Sequence, residues 1–140
     1  TEQILKAKRN SSRFFTIEIN DDLAEATKRK CPSVDVITVD AKHLKGILMG
    51  KGFTHCDSIV SCVPWSTLTF REQDQMLKVI YESLSSGGRF ATLLLAPGLA
   101  LPTTRRFMRK VEDQFGRVGM SPIIWTNLPP AVAFWGEKSE

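Results

Sequence analysis

Short β-branched and aromatic runs take turns with amphipathic stretches along the chain. The strand-like runs are RFFTIEI (13–19), VDVITVD (34–40), DSIVSCV (57–63), RFATLLL (89–95), PIIWTN (122–127) and AVAFWGE (131–137). Most are continuously apolar rather than alternating, the pattern of strands covered on both faces. Helical stretches are expected between them at 21–30, 41–49, 71–84 and 103–115. In the third, Met76, Leu77, Ile80, Tyr81 and Leu84 recur on one helical face. Gly87 and Gly88 are expected to stop that helix, with Arg89 opening the next strand. Strands and helices in strict turn give an open, mostly parallel α/β sheet of the Rossmann-like kind. The end of the chain breaks the rule. A parallel crossover needs about a dozen residues, and the few around LPP between the last two runs are too short for one. Those two strands must form an antiparallel hairpin.

The beginning is also unusual. Thr1 is placed to cap a helix over EQILKAKR, with Glu2 in its first turn and basic residues in its last. A doubly wound domain normally opens with a strand. A first strand and its loop are therefore expected upstream of Thr1, so that residues 1–140 form a single, N-terminally incomplete domain. The missing strand would lie between the strand ending at Glu18 and the one ending near Cys62, leaving both with an unpaired edge.

Composition narrows the class. Hydrophobic residues make up 42% and charged residues 24%, too apolar for a disordered chain. No apolar run approaches the roughly 18 residues that span a bilayer, and no repeat or low-complexity tract is present. Cys31, Cys56 and Cys62 are an odd number without zinc spacing, which points to reduced thiols in a cytoplasm. The net charge of +4 leans towards an anionic partner, either a lipid surface or nucleic acid.

Ligands of open α/β sheets bind outside the carboxyl ends of the strands. The residues found there are Glu18, with Ile19 beside it; Asp40, with Ala41; and Ser61, Cys62, Pro64 and Trp65. A carboxylate has two acceptor oxygens, so Glu18 can take both hydroxyls of a ribose. It can equally be a solvated strand-end acid or a cap for the helix at Asp21. Asp40 can accept from an adenine amino group, with Ala41 leaving room for the ring, or can cap the helix that follows.

FFTIEIN, VITVDAKHL, SIVSCVPWSTL, LSSGGRFATLL and IIWTNLPPAVAFW, in that order, resemble a class I S-adenosylmethionine-dependent methyltransferase. More narrowly, SCVPW and NLPPA resemble bacterial phospholipid N-methyltransferases of the phosphatidylethanolamine type. The resemblance implies a seven-stranded sheet with its last strand reversed. It implies S-adenosylmethionine as cofactor, held by Glu18 and Ile19 at the ribose and by Asp40, Ala41 and Ser61 around the rest. It also implies a glycine-rich loop just before the helix at Thr1.

The resemblance places Cys62, Pro64 and Trp65 at the reacting nitrogen. Methyl transfer from a sulfonium is a direct displacement, so the amine lone pair must point along the carbon–sulfur axis. Carbonyls exposed by the turn at Pro64 are expected to accept the amine N–H bonds, with Pro64 fixing the local backbone. Trp65 either offers a π face to a cationic amine or plugs the core. Cys62 stands where adenine methyltransferases carry Asn, which favours a choline-like head group over a nucleic-acid base. No covalent step is needed, so Cys62 is not read as a nucleophile. His43 and His55 are alternative bases or solvated side chains. Asn127 and Pro129 either wall the substrate pocket or shape the hairpin loop. Arg105, Arg106, Arg109 and Lys110 form a basic helical stretch that is either a solvated face or a contact for lipid phosphates.

The expected activity is therefore methyl transfer to the amine of a phospholipid head group, by a cytoplasmic enzyme in peripheral contact with the inner, anionic face of a membrane. Methylation of a ribosomal RNA base or a small amine is the first alternative. A non-catalytic nucleotide-binding module is the second.

Overall fold

The computed structural model describes residues 1–139. The chain forms two compact units, one over Thr1–His43 and one beginning at Leu44.

The first unit runs α1 (Glu2–Ala7), β1 (Phe15–Glu18), α2 (Asp21–Lys30) and β2 (Asp35–Thr38), closing with a 3₁₀ turn at Ala41–His43. The expected Thr1 side-chain cap does not form. Its carbonyl instead accepts from Leu5 N–H, and a Glu2–Lys6 ion pair at 2.8 Å spans the short helix. The start of α2 is better made. Asn20 Oδ1 accepts from Leu23 N–H at 3.0 Å, Asp21 and Asp22 occupy the first turn, and Lys28, Arg29 and Lys30 the last. That order of charge complements the helix dipole. Strands β1 and β2 pair in parallel from Phe15 opposite Asp35 to Glu18 opposite Thr38.

The second unit contains α3 (Leu44–Gly50), β3 (Cys56–Ser61), α4 (Phe70–Ser83), β4 (Leu84–Leu95), α5 (Pro102–Gln114), β5 (Arg117–Met120) and β6 (Ala131–Glu137). Its sheet has the order β3-β4-β6-β5. Strand β3 is parallel to β4, whereas β6 runs antiparallel to both its neighbours. The reversed last strand expected from the short connection is present. Strands β1 and β3 belong to different sheets, each paired with one neighbour among the described residues.

Three expectations need correction. The penultimate strand is Arg117–Met120, not 122–127. Pro122 has no N–H to give a ladder, and residues 121–130 form a loop held by an isolated bridge between Ile124 and Ala131. The fourth helix ends at Ser83, before the glycines. Strand β4 starts at Leu84, and Gly87, at φ 69°, lies where the register with β3 jumps from Cys56–Leu84 to Ser58–Arg89. Such an irregularity needs a residue free to adopt positive φ. Finally, the apolar strands are not covered on both faces. In β4, Phe90, Thr92 and Leu94 are buried while Leu93 and Leu95 are exposed, as is Val60 in β3.

The core of this unit lies where α4 and α5 meet the sheet. Leu77 and Ile80 from α4, Phe107 and Val111 from α5, and Phe90 and Phe134 from the sheet pack together around Trp65. Helix α4 is entered through a reciprocal cap: Thr69 Oγ1 accepts from Glu72 N–H while Glu72 accepts from Thr69 N–H.

Candidate active site

In the first unit the paired strands bring two acids to one sheet end. Glu18 is the last residue of β1, and its carbonyl accepts from Val39 N–H at 3.2 Å, one residue before Asp40. The Glu18 side chain is half-buried, and its Oε1 accepts from Asn20 N–H at 3.0 Å.

Asp40 is more committed. Oδ1 accepts from Lys42 N–H at 2.9 Å and Oδ2 pairs with Lys42 Nζ at 2.9 Å. These bonds, the backbone one first, hold its carboxyl below the ordinary carboxylate range. Of the two readings open in the sequence, the structure realises the cap: Asp40 opens the 3₁₀ turn. Ala41 is the first residue of that turn, and Ile19 is largely exposed between β1 and α2.

In the second unit β3 ends in a turn pinned from several sides. Ser61 Oγ accepts from Val63 N–H at 3.2 Å, and Ser61 O accepts from Thr92 Oγ1 at 3.0 Å. Trp65 is 1% exposed. Its ring stacks on Phe107 at 4.1 Å between centroids and meets Phe90 edge-on at 6.1 Å. Its Nε1–H donates to Thr92 Oγ1 at 2.9 Å. The π face expected for a ligand is therefore already covered by protein. Trp65 is a core residue, and the substrate-contact role must be withdrawn. An indole suits this place because its body fills the core and its one donor finds an acceptor.

The expected set of free carbonyls is also corrected. Val63 O accepts from Trp65 N–H, Pro64 O from both Thr67 N–H and Thr67 Oγ1, and Trp65 O from Gln73 Nε2. Ser66 O accepts from Thr103 Oγ1. The turn is a rigid platform, and the carbonyls of Val63, Trp65 and Ser66 each keep a second lone pair. Cys62 and Pro64 are exposed on it.

The residues that hold the platform were missed by sequence reasoning. Gln73 is fully buried in α4 and bonds to Trp65 O and Thr103 O. Arg106 reaches Gln73 Oε1 at 3.1 Å and grips Asp74 through two bonds of 2.9 and 2.7 Å. The available signal was a polar residue on an apolar stripe. Thr92 interrupts FATLLL, and Gln73 precedes Met76, Leu77 and Ile80 at helical spacing.

Asn127 and Pro129 lie on the 121–130 loop. Asn127 Nδ2 donates to Pro129 O across the cis Leu128–Pro129 peptide, so this amide shapes the loop. His43 and His55 are both exposed, and His55 Nδ1 lies 3.2 Å from Thr54 Oγ1. Cys56, half-buried against Asp57, has its thiol pushed up to about 11 by burial first and the neighbouring carboxylate second. No cluster of metal-ligating side chains occurs among the described residues, and no helix there is long and apolar enough to cross a membrane.

No protein-family model and no curated protein sequence matches the chain. Solved structures do. An O-methyltransferase from Bacillus cereus in complex with SAH aligns with a TM-score of 0.70 at 12% identity, over 92% of this chain and 64% of that one. A SAM-dependent O-methyltransferase from Thermotoga maritima aligns with a TM-score of 0.61 at 18% identity, over 93% of this chain and 51% of that one. An rRNA methylase from Streptococcus thermophilus gives 0.63 at 11% identity, over 91% and 74%. The chain has the Rossmann-like fold of these methyltransferases, with its mixed sheet. It spans about half the length of the Thermotoga protein.

Proposed function

We propose that this chain is an S-adenosylmethionine-dependent N-methyltransferase acting on the amine of a phospholipid head group such as phosphatidylethanolamine. The observation that carries the cofactor is the pair of strand-end acids at Glu18 and Asp40 within a methyltransferase fold. The residues fit the group. Glu18 has an oxygen to accept from a ribose diol, and Ala41 presents only a methyl group beside Asp40. Asp40 contributes chiefly by fixing the turn, since Lys42 already engages both its oxygens. When bound, the cofactor supplies an electrophilic methyl group on sulfur.

The chain's part in the transfer is positional. The pinned turn after β3 offers carbonyl lone pairs at Val63 and Ser66 to the N–H bonds of an incoming amine, which orients the nitrogen lone pair. The attacking nitrogen needs its lone pair, so the acceptor arrives as the free amine, having given its ammonium proton to solvent. The N–C bond then forms as the S–C bond breaks, and the positive charge passes from sulfur to the methylated nitrogen. Phe107, Phe90 and Thr92 lock this turn through Trp65, so the acceptor meets a surface that does not need to reorganise.

Support for the lipid amine comes from SCVPW and NLPPA, whose Cys62 replaces the amide that would read a base edge. A nucleic-acid acceptor is the second reading, on the rRNA-methylase likeness; the +4 charge suits either anionic partner. The two separate in one assay. Methyl-labelled S-adenosylmethionine is incubated with detergent-dispersed phosphatidylethanolamine, with unmodified ribosomal RNA and with free ethanolamine. Label in the lipid fraction is the expected result. Label confined to RNA, or in none of the three, overturns the lipid reading.

A further inference from the structure

The loop at 121–130 is the most exposed apolar feature of the second unit. Trp125 is 75% exposed and Leu128 95%, with Ile123 and Ile124 at 40% and 38%. At 95% exposure Leu128 has almost no protein around it, so the loop tip projects outward and does not line a groove. No charged residue stands between Arg117 and Glu137, nor between Arg89 and Arg105. These two uncharged stretches meet at one end of the sheet, where Leu95 faces Ala131 in register and Ala96 N–H donates to Pro130 O at 2.8 Å. Helix α5 starts just beyond, with Leu101 exposed at its cap and Arg105 and Arg109 exposed along it.

We propose that this loop is a bilayer-docking element, with Trp125 and Leu128 entering the interfacial region and Arg105 and Arg109 meeting anionic head groups. A projecting apolar tip free of charge can enter hydrocarbon without burying an ion. Tryptophan is suited to the interface, and flanking arginines add attraction to acidic lipid. The inference rests on the lipid-amine reading for its purpose, but its test needs neither turnover nor an amine lipid.

The purified protein is floated with vesicles of phosphatidylcholine alone and of phosphatidylcholine with phosphatidylglycerol, neither of which has a methylatable amine. Co-flotation with the anionic vesicles is expected, with Trp125→Ser/Leu128→Ser lowering the partition coefficient by about tenfold or more. Brominated lipid should quench the tryptophan emission of the wild type more strongly than that of Trp125→Ser, whose remaining tryptophans are the buried Trp65 and the half-buried Trp135 of β6. The double variant should still methylate detergent-dispersed amine lipid as the wild type does. An equal partition of variant and wild type, or no flotation of either, overturns the proposal. So does a concentration-dependent dimer that the double variant abolishes, which would make the loop a contact between copies. Failure to methylate dispersed lipid while flotation persists would sink the substrate reading and leave the docking element standing.

Discussion

Replacing Trp65 with alanine should be among the most destabilising single changes in the second unit. The indole is 1% exposed, stacked 4.1 Å from Phe107 and edge-on to Phe90. Emptying a fully buried aromatic site costs about 3–5 kcal/mol, and the lost ring pairings lie within that figure. Thr92 Oγ1 keeps its bond to Ser61 O, so no buried hydroxyl is orphaned on that side. Against a domain stability of about 5–15 kcal/mol the loss is a large fraction. Trp65→Phe keeps most of the packing and loses the Nε1–H donor, so a cost of about 1–2 kcal/mol is expected. Urea unfolding followed by far-UV circular dichroism measures both. A Trp65→Ala cost below about 1 kcal/mol, with the protein still folded, would refute the core assignment and reopen Trp65 as a ligand surface.

Three further outcomes follow from the same geometry. Gly119 lies directly opposite Trp135, and a Cβ there would run into the indole, so Gly119→Ala should cost about 1–3 kcal/mol by thermal unfolding; an unchanged Tm would show that the ring moves freely. Arg106 first, and Lys110 after it, holds the Asp74 carboxyl below its ordinary value. That lowered value means stability present above about pH 4 and lost as the pH falls through the folded pKa, so Asp74→Asn should flatten this acid limb; an unchanged slope between pH 2 and 5 would deny the linkage. At pH 8 an aromatic disulfide reagent should label exposed Cys62 first, because Cys31 is buried and the Cys56 thiol is pushed up to about 11; equal rates at all three would contradict this placement.

Sequence patterning revealed most of the fold because each element carried its own period. Helix α2 and strand β6 have the expected bounds, and the short connection before Ala131 forced the antiparallel ending. What failed was local. IIW reads as a strand by propensity, yet Pro122 and the prolines at 129 and 130 deny it a ladder, so Arg117–Met120 pairs instead. Gly87 and Gly88 read as a stop, whereas helix α4 ends earlier and the glycines serve a β irregularity. Glu18 was legible as the last residue of a strand because the strand itself fixes it, whereas Asp40 lies two residues beyond β2 and opens a turn. The burial of Trp65 was not legible, because it depends on Phe107 in a helix 42 positions later (107 − 65) and on Thr92 in a neighbouring strand. An aromatic beside proline reads the same whether it faces inward or outward.

In the proposed cofactor site Glu18 anchors S-adenosylmethionine at the end of β1. Isothermal titration of S-adenosylhomocysteine into the full chain and its Glu18→Ala variant tests it most directly. Charged hydrogen bonds to the ribose hydroxyls are worth about 1.5–3 kcal/mol, so the variant should bind about 10- to 150-fold more weakly while unfolding at the same urea concentration as the wild type. Equal affinity in the two proteins would remove Glu18 from the site, and no binding to the wild type would contradict the cofactor assignment itself.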